Sequence, residues 1–208
     1  MERQPAPIDA VVFDIGNVLL AWDPRYLYRG LFDDEAAMER FLGEICTLEW
    51  HRDHDRGIPL ATSCAALAAR HPEHAELIWA WSRRGEEMIA GQIAGSVEIL
   101  GELRRAGVRC YALTNMEAET YPVRRERWEF LGWFDGTIVS GREGVIKPEP
   151  AIFELLLRRF QLTAERTLMI DDSAANIAAA ARLGMRTHHF HGAHELRADL
   201  VRAGLLRA

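Results

Sequence analysis

Five polar side chains follow apolar runs at places where chemistry is done. Asp14 closes AVVF (Ala10 to Phe13), Thr114 and Asn115 follow VRCYAL, and Asp171 with Asp172 closes TLMI (Thr167 to Ile170). Of the 25 basic residues, Lys147 is the only lysine, and it stands in GVIKPEPAIF before Pro148, where a helix is disfavoured. Arginine offers a planar fork of donors, whereas lysine offers a compact point charge on a flexible stem, so the two are not interchangeable where a small anion is met end-on. Three carboxylates in one place repel one another. The remedies are protonation or a hard cation with oxygen ligands, typically magnesium. A lysine at the same edge, together with such a cation, offsets the charge of an aspartate and of an anionic substrate.

A parallel sheet would bring these residues together. Continuous apolar runs without alternation read as strands buried on both faces, and the runs at 10–13, 108–113 and 167–170 have that character, with weaker candidates at 137–139 and 187–190. Helical patterns lie between them: Ser96 to Ala106 before Gly107, Pro150 to Phe160, and Ser173 to Leu183 before Gly184. The alternation predicts an α/β fold, a doubly wound parallel sheet with a Rossmann-like core. Ligand sites in such sheets lie at the carboxyl ends of the strands, where Asp14, Thr114, Asn115, Asp171 and Asp172 fall and where Lys147 can arrive.

The stretch 18–90 interrupts this order. It carries helix signals, such as Met38, Phe41, Leu42 and Ile45, and His74, Leu77, Ile78 and Trp81, and no convincing strand. The expected organisation is a core of residues 1–17 and 91–208 with an inserted all-helical cap at 18–90, hinged near Asp23-Pro24 and near Gly91 and Gly95.

Composition narrows the function. With 49% apolar residues in 208, the chain can build a sizeable core, and a net charge of -6 provides no basic face for a nucleic acid. Cys46, Cys64 and Cys110 are odd in number and lack a CxxC pair, which fits buried thiols in the cytoplasm. MERQPAPID lacks the apolar region of a leader, and no apolar run approaches the ~18 residues that span a bilayer. The expected partner is therefore a small molecule, not a membrane.

FDIGNVLL, LTN, KPEP and MIDDSAAN, in that order, resemble the four motifs of the haloacid dehalogenase superfamily, and most closely its phosphatase branch with a helical C1-type cap (subfamily I). The resemblance covers nearly the whole chain. It implies a Mg²⁺-dependent phosphatase of a small phosphorylated metabolite, a sugar phosphate being one class, that works through an aspartyl-phosphate. Asp14 would be the nucleophile, Thr114 would bind a phosphoryl oxygen, and Lys147 would hold phosphate and nucleophile together. Gly16, Asn17 and Asn115 would complete the phosphate site, with a backbone or side-chain contact from Asn115. Asp14, Asp171 and the Gly16 carbonyl would ligate magnesium, and Asp172 would act through a bound water.

One position departs from that pattern. Phosphatases of this type usually carry a second aspartate two residues after the nucleophile as the acid and base, and here Gly16 stands instead. Such a group typically contributes about 10² to 10⁴ in rate. EWHRDHDRG offers His51, Asp53, His54 and Asp55 as replacements, although a charged run of this kind is ordinarily a solvated face. Two competing functions follow. A 2-haloacid dehalogenase shares the nucleophile and lacks the second aspartate, but its reaction uses no metal, against Asp171 and Asp172. A non-catalytic phosphate-ligand binding protein would have lost turnover through Gly16.

The bland readings are capping by Asp171-Asp172, turn chemistry at Thr114-Asn115, core packing for Trp22, Trp50, Trp79 and Trp81, and a surface cluster away from the site for His188, His189, His191 and His194.

Overall fold

A computed structural model describes residues 6–207. Residues 1–5, part of the N-terminal stretch read above for a leader, lie outside that range. In chain order the strands are β1 (Ala10–Phe13), β2 (Leu20–Trp22), β3 (Ile89–Gln92), β4 (Arg109–Thr114), β5 (Gly136–Val139), β6 (Thr167–Asp171) and β7 (Arg186–His189). The helices are α1 (Arg25–Tyr28), α2 (Glu35–Glu44), α3 (Leu48–Asp55), α4 (Leu60–Arg70), α5 (Ala75–Arg83), α6 (Ala94–Arg105), α7 (Thr120–Arg127), α8 (Ser140–Glu143), α9 (Pro150–Arg159), α10 (Ala174–Arg182) and α11 (Ala193–Arg202).

Five strands form one parallel sheet in the order β5-β4-β1-β6-β7. The absence of alternation in β1 has a direct cause. Val11 and Phe13 pack on one face with Leu100 and Leu103 of α6 and Leu196 and Leu200 of α11, while Ala10 and Val12 pack on the other with Phe153 and Leu156 of α9 and Ala179 and Ala180 of α10. Helices on both faces make the sheet doubly wound, as the sequence predicts. From β1 the chain winds outward through β4 and β5, then returns to the other side for β6 and β7. This reversal opens a crevice at the carboxyl ends of β1, β4 and β6.

Helices α1 to α5 gather around a third apolar cluster that includes Tyr28, Phe41, Cys64, Ile78 and Trp81. Here the structure corrects the sequence reading in one respect. The interval 18–90 does contain strand: β2 pairs antiparallel with β3, so the two crossings between sheet and helices lie side by side. With three and four residues, these strands are too short to show a period. Gly95 lies within a helix, two residues beyond the Ile93 that precedes it. In this first turn of α6 an added Cβ would stand 2.8 Å from the Cβ of Ala193. The three cysteines are free and buried. Among the described residues no helix is long and apolar enough to cross a membrane.

Candidate active site

Asp14 leaves β1 with its amide bonded to the Ile170 carbonyl at 2.9 Å, which fixes it beside the end of β6. Its Oδ1 accepts from the Ile15 amide at 2.7 Å, and its Oδ2 lies 2.8 Å from Lys147 Nζ. The same ammonium reaches Asp171 Oδ2 at 2.7 Å. Lys147 is 2% exposed and Asp171 is 0% exposed, so the three charges meet out of water. Asp171 Oδ1 is fixed in turn by the Ser173 amide and Asn176 Nδ2, both at 2.9 Å. Ser173 makes no side-chain capping bond, and Asp171 Oδ1 bonds only the Ser173 amide ahead of α10 and the Asn176 side chain, so capping does not account for Asp171.

Lys147 is held by its backbone as well. Its amide donates to Asn115 Oδ1 at 2.8 Å, and its carbonyl accepts from Asn115 Nδ2 at 3.0 Å. Both ends of the Asn115 side chain are thus committed to the lysine, which leaves the Asn115 backbone to meet a ligand. Thr114 is buried, and its hydroxyl makes only a long 3.4 Å bond to the Asn115 carbonyl. Asn17 takes a left-handed conformation, φ 53°, and its Oδ1 accepts from the Trp22 amide at 3.0 Å, so part of its role is to turn the chain into β2. An added Cβ at Gly16 would meet no atom within 4 Å, so the space beside the nucleophile is open.

Oxygen atoms of Asp14, Asp171 and Asp172 all lie within 4.8 Å of one another. One ammonium faces these three carboxylates. Burial first, then the Asp171 and Asp172 charges, push the Asp14 carboxyl up to about 7 against the pull of Lys147. Burial by itself would lower the lysine, but Asp14 and Asp171 together hold it above its usual range. A site made of carboxylate oxygens and short of positive charge fits a hard divalent cation such as magnesium.

The charged run EWHRDHDRG is not a solvated face. Asp53 is exposed, but α3 turns His51, His54 and Asp55 inward over the crevice, and His54 and Asp55 are buried. His51 stacks on Trp22, with ring centroids 5.3 Å apart and an 18° interplanar angle. Its Nδ1 lies 3.3 Å from His54 Nδ1 and 3.7 Å from Glu117 Oε1, and its Nε2 lies 3.8 Å from Asp55 Oδ1. Glu117 and Arg124 complete this group from the sheet side, and neither carried a sequence signal. Arg124 Nε bonds Glu86 Oε1 at 2.9 Å, which ties α7 to the approach to β3.

A cavity of about 190 Å³ holds Asp14, Gly16, Asn17, Thr114, Asn115 and Asp172 together with His51 and Asp55. Trp22, His51, Glu117 and Arg124 also border a second cavity of about 340 Å³, lined by Leu60, Trp81, Met88 and Val123 among others. Trp22 and Trp81 therefore face cavity space as well as core, whereas Trp79 lies beneath the Arg83 guanidinium at 5.1 Å. The histidine cluster differs from its sequence reading in part, since His191 and His194 are exposed as expected but His188 and His189 are not free surface groups. His188 is buried and bonded to Asp199 at 2.6 Å, and His189 Nε2 contacts the Asp172 carbonyl at 2.9 Å, next to the site. The strand β7 runs beside β6, which brings it there.

Comparison with known proteins gives a consistent picture. Residues 8–184 match the haloacid dehalogenase-like hydrolases. The chain is 29% identical over 177 residues to a sesquiterpene phosphatase of Aspergillus oryzae, covering 85% of this chain and 86% of that protein. The solved structure of a HAD-like family hydrolase from Porphyromonas gingivalis superposes with a TM-score of 0.75 at 22% identity, covering 98% of this chain and 100% of the other. A HAD family enzyme of Bacteroides thetaiotaomicron, solved in complex with magnesium and inorganic phosphate, gives a TM-score of 0.68 at 19% identity, with coverages of 87% and 93%. At these identities the two structural likenesses speak for the fold.

Proposed function

This chain belongs to the haloacid dehalogenase-like hydrolases, and we propose that it is a magnesium-dependent phosphatase of a small phosphorylated metabolite that works through an aspartyl-phosphate on Asp14. The observation that carries this reading is the Lys147 ammonium, bonded to both Asp14 and Asp171 beside a third carboxylate, Asp172. The kinship with a sesquiterpene phosphatase supports it at the level of reaction class.

Asp14 is the nucleophile. Its Oδ1 is pinned by the Ile15 amide, which leaves the Oδ2 edge to face Lys147 and the incoming phosphorus. Covalent attack by a carboxylate divides one difficult hydrolysis into two easier steps. Lys147 lowers the repulsion between the anionic nucleophile and an anionic phosphate, and its backbone clamp on Asn115 keeps the ammonium from following the substrate. The Thr114 hydroxyl and the Asn115 backbone bind phosphoryl oxygens, and the open space at Gly16 and Asn17 admits the group. Asp14, Asp171 and the Gly16 carbonyl would hold the cation, and Asp172 would act on it through a bound water. Magnesium, when bound, neutralises charge on the transferring phosphoryl group. We take α1 to α5 as the cap that closes over the substrate, with the core formed by the described residues of 1–17 and 91–208.

The same nucleophile would serve a dehalogenase, but that reaction uses no cation, and the three carboxylates Asp14, Asp171 and Asp172 would be gathered around one ammonium without one. The deciding experiment is a panel of phosphorylated metabolites, sugar phosphates included, assayed with magnesium and with chelator, alongside halide release from 2-haloacids. Phosphate release that disappears on chelation is expected. Undiminished activity in chelator, or halide release in its place, would overturn the reading.

A further inference from the structure

We propose that Asp55, delivered by α3, is the catalytic acid and base that Gly16 does not supply, an inference that rests on the phosphatase reading. Position is the first argument. Asp55 borders the same cavity as Asp14, Gly16, Thr114 and Asp172, although 40 residues lie between it and Asp14 in sequence. It is 6% exposed, and its Oδ1 is buried without a hydrogen-bond partner. A buried, unpaired carboxyl oxygen is costly and calls for an explanation. A proton held on the carboxyl offsets part of that cost, and the cavity that Asp55 borders is where a substrate would receive it.

The delivery is built into the chain that follows α3. Gly57 adopts φ +100°, and a Cβ there would stand 2.6 Å from the Gly141 carbonyl of α8, so only glycine lets this turn approach so closely. Arg56 bonds Glu149 just before α9. Both contacts seat the carboxyl-terminal end of α3 on the sheet domain one and two residues beyond Asp55. The open space beside Gly16 leaves room for a group arriving from above.

The other three candidates fit less well. Asp53 is exposed. The His54 ring is set edge-on against Trp50 at 4.4 Å and does not border the cavity. His51 borders the cavity, but its ring is stacked on Trp22 and both nitrogens already face protein groups. The protonation balance agrees with the geometry. Burial, then the nearby Glu117 and Asp14 charges, keep the Asp55 carboxyl protonated up to about 8, with Lys147 and Arg124 opposing and His51 alongside.

The chemistry balances. As Asp14 forms its bond to phosphorus, the bond from phosphorus to the ester oxygen breaks, and the Asp55 proton passes to that oxygen to release the alcohol. Water then attacks the aspartyl-phosphate, gives its proton to the Asp55 carboxylate and frees Asp14, so that phosphate leaves and both aspartates are restored.

The test compares first turnovers of the parent and Asp55→Asn, with magnesium, on 4-nitrophenyl phosphate and on glycerol 2-phosphate. The nitrophenolate leaves without help, so its burst is expected to stay within about tenfold of the parent and then to stall. Release of glycerol is expected to fall about 10² to 10⁴-fold. Adding Gly16→Asp to the Asp55→Asn chain is expected to recover at least about tenfold of the alkyl rate, because that carboxyl has room beside Asp14. Equal slowing on both substrates, or an unchanged alkyl rate, would overturn the assignment of Asp55 alone. If the parent released no nitrophenolate at all, the phosphatase reading would fall and this inference with it.

Discussion

Lys147 Nζ stands 2.8 Å from Asp14 Oδ2, with both residues buried and the ammonium shared with Asp171. The pair places a positive charge directly beside the atom proposed to attack phosphorus. It also explains why the chain's one lysine stands where it does. A guanidinium is wider and planar, and it would need space that Asp14 and Asp171 already occupy around the ammonium.

Lys147→Arg is therefore expected to reduce kcat/KM about a hundredfold although the charge is kept, because displacement of the nucleophile by about 1 Å has that effect. Steady-state kinetics on 4-nitrophenyl phosphate would measure it. A rate near that of the parent would show that charge alone matters at this position.

Asp14→Asn is expected to abolish turnover and to retain the fold. The amide has one acceptor oxygen where the carboxylate has two, so it cannot serve both the Ile15 amide and Lys147. Lys147 keeps its bond to Asp171, and the variant also loses one of three crowded carboxylates, so the two effects on stability oppose each other. Denaturant unfolding should show a cooperatively folded variant, and phosphate release comparable to the parent would refute Asp14 as nucleophile.

Magnesium is expected to raise the thermal midpoint of the parent, by about 2.7 kcal/mol of stabilisation at a hundred times Kd. Asp172 is exposed, so Asp172→Asn should change the stability of the metal-free protein by no more than about 0.5 kcal/mol. Its apparent magnesium affinity should nevertheless fall about 10 to 100-fold, as for a group that orients a ligand. An undiminished magnesium-induced shift in this variant would remove Asp172 from the metal site.

Asp55 also predicts a pH dependence of stability. Its carboxyl ionises near 3.8 in an unfolded chain and near 8 when folded, burial being the main cause. Between those values the folded state binds the extra proton, so this contribution is complete below the lower value and is lost as pH rises through the upper one. The slope is at most about 1.4 kcal/mol per pH unit. Asp55→Asn removes that slope, while Glu117, Lys147, Asp14, Arg124 and His51 face the position in both proteins. The variant should therefore gain on the parent from pH 4 to 8 in chelator, as read by urea titration. Parallel curves would show that Asp55 ionises in its buried place without cost.

The sequence by itself determined the sheet and the residues at its edge. Val11 and Phe13 on one face and Ala10 and Val12 on the other make β1 apolar throughout, and a parallel strand with that pattern must end in the crevice, which places Asp14. Asp171 and Thr114 follow by the same local logic, and Lys147 stood out by its type. The short β2 and β3 carried too few residues for a period to show, and the charged α7 offered no apolar face that marked it as helix. What only the tertiary structure decided is the meeting of α3 with the sheet. The same run that reads as solvated turns His54 and Asp55 inward because the cluster around Tyr28 and Trp81 fixes the helices and because Gly57 and Arg56 dock on Gly141 and Glu149. Arg56 and Glu149 are 93 positions apart, and Glu117 and Arg124 reach the same cavity from beyond β4. Helical periodicity reports which residues share a face. The partner of that face is set by packing between segments distant in the chain, and no local pattern carries it.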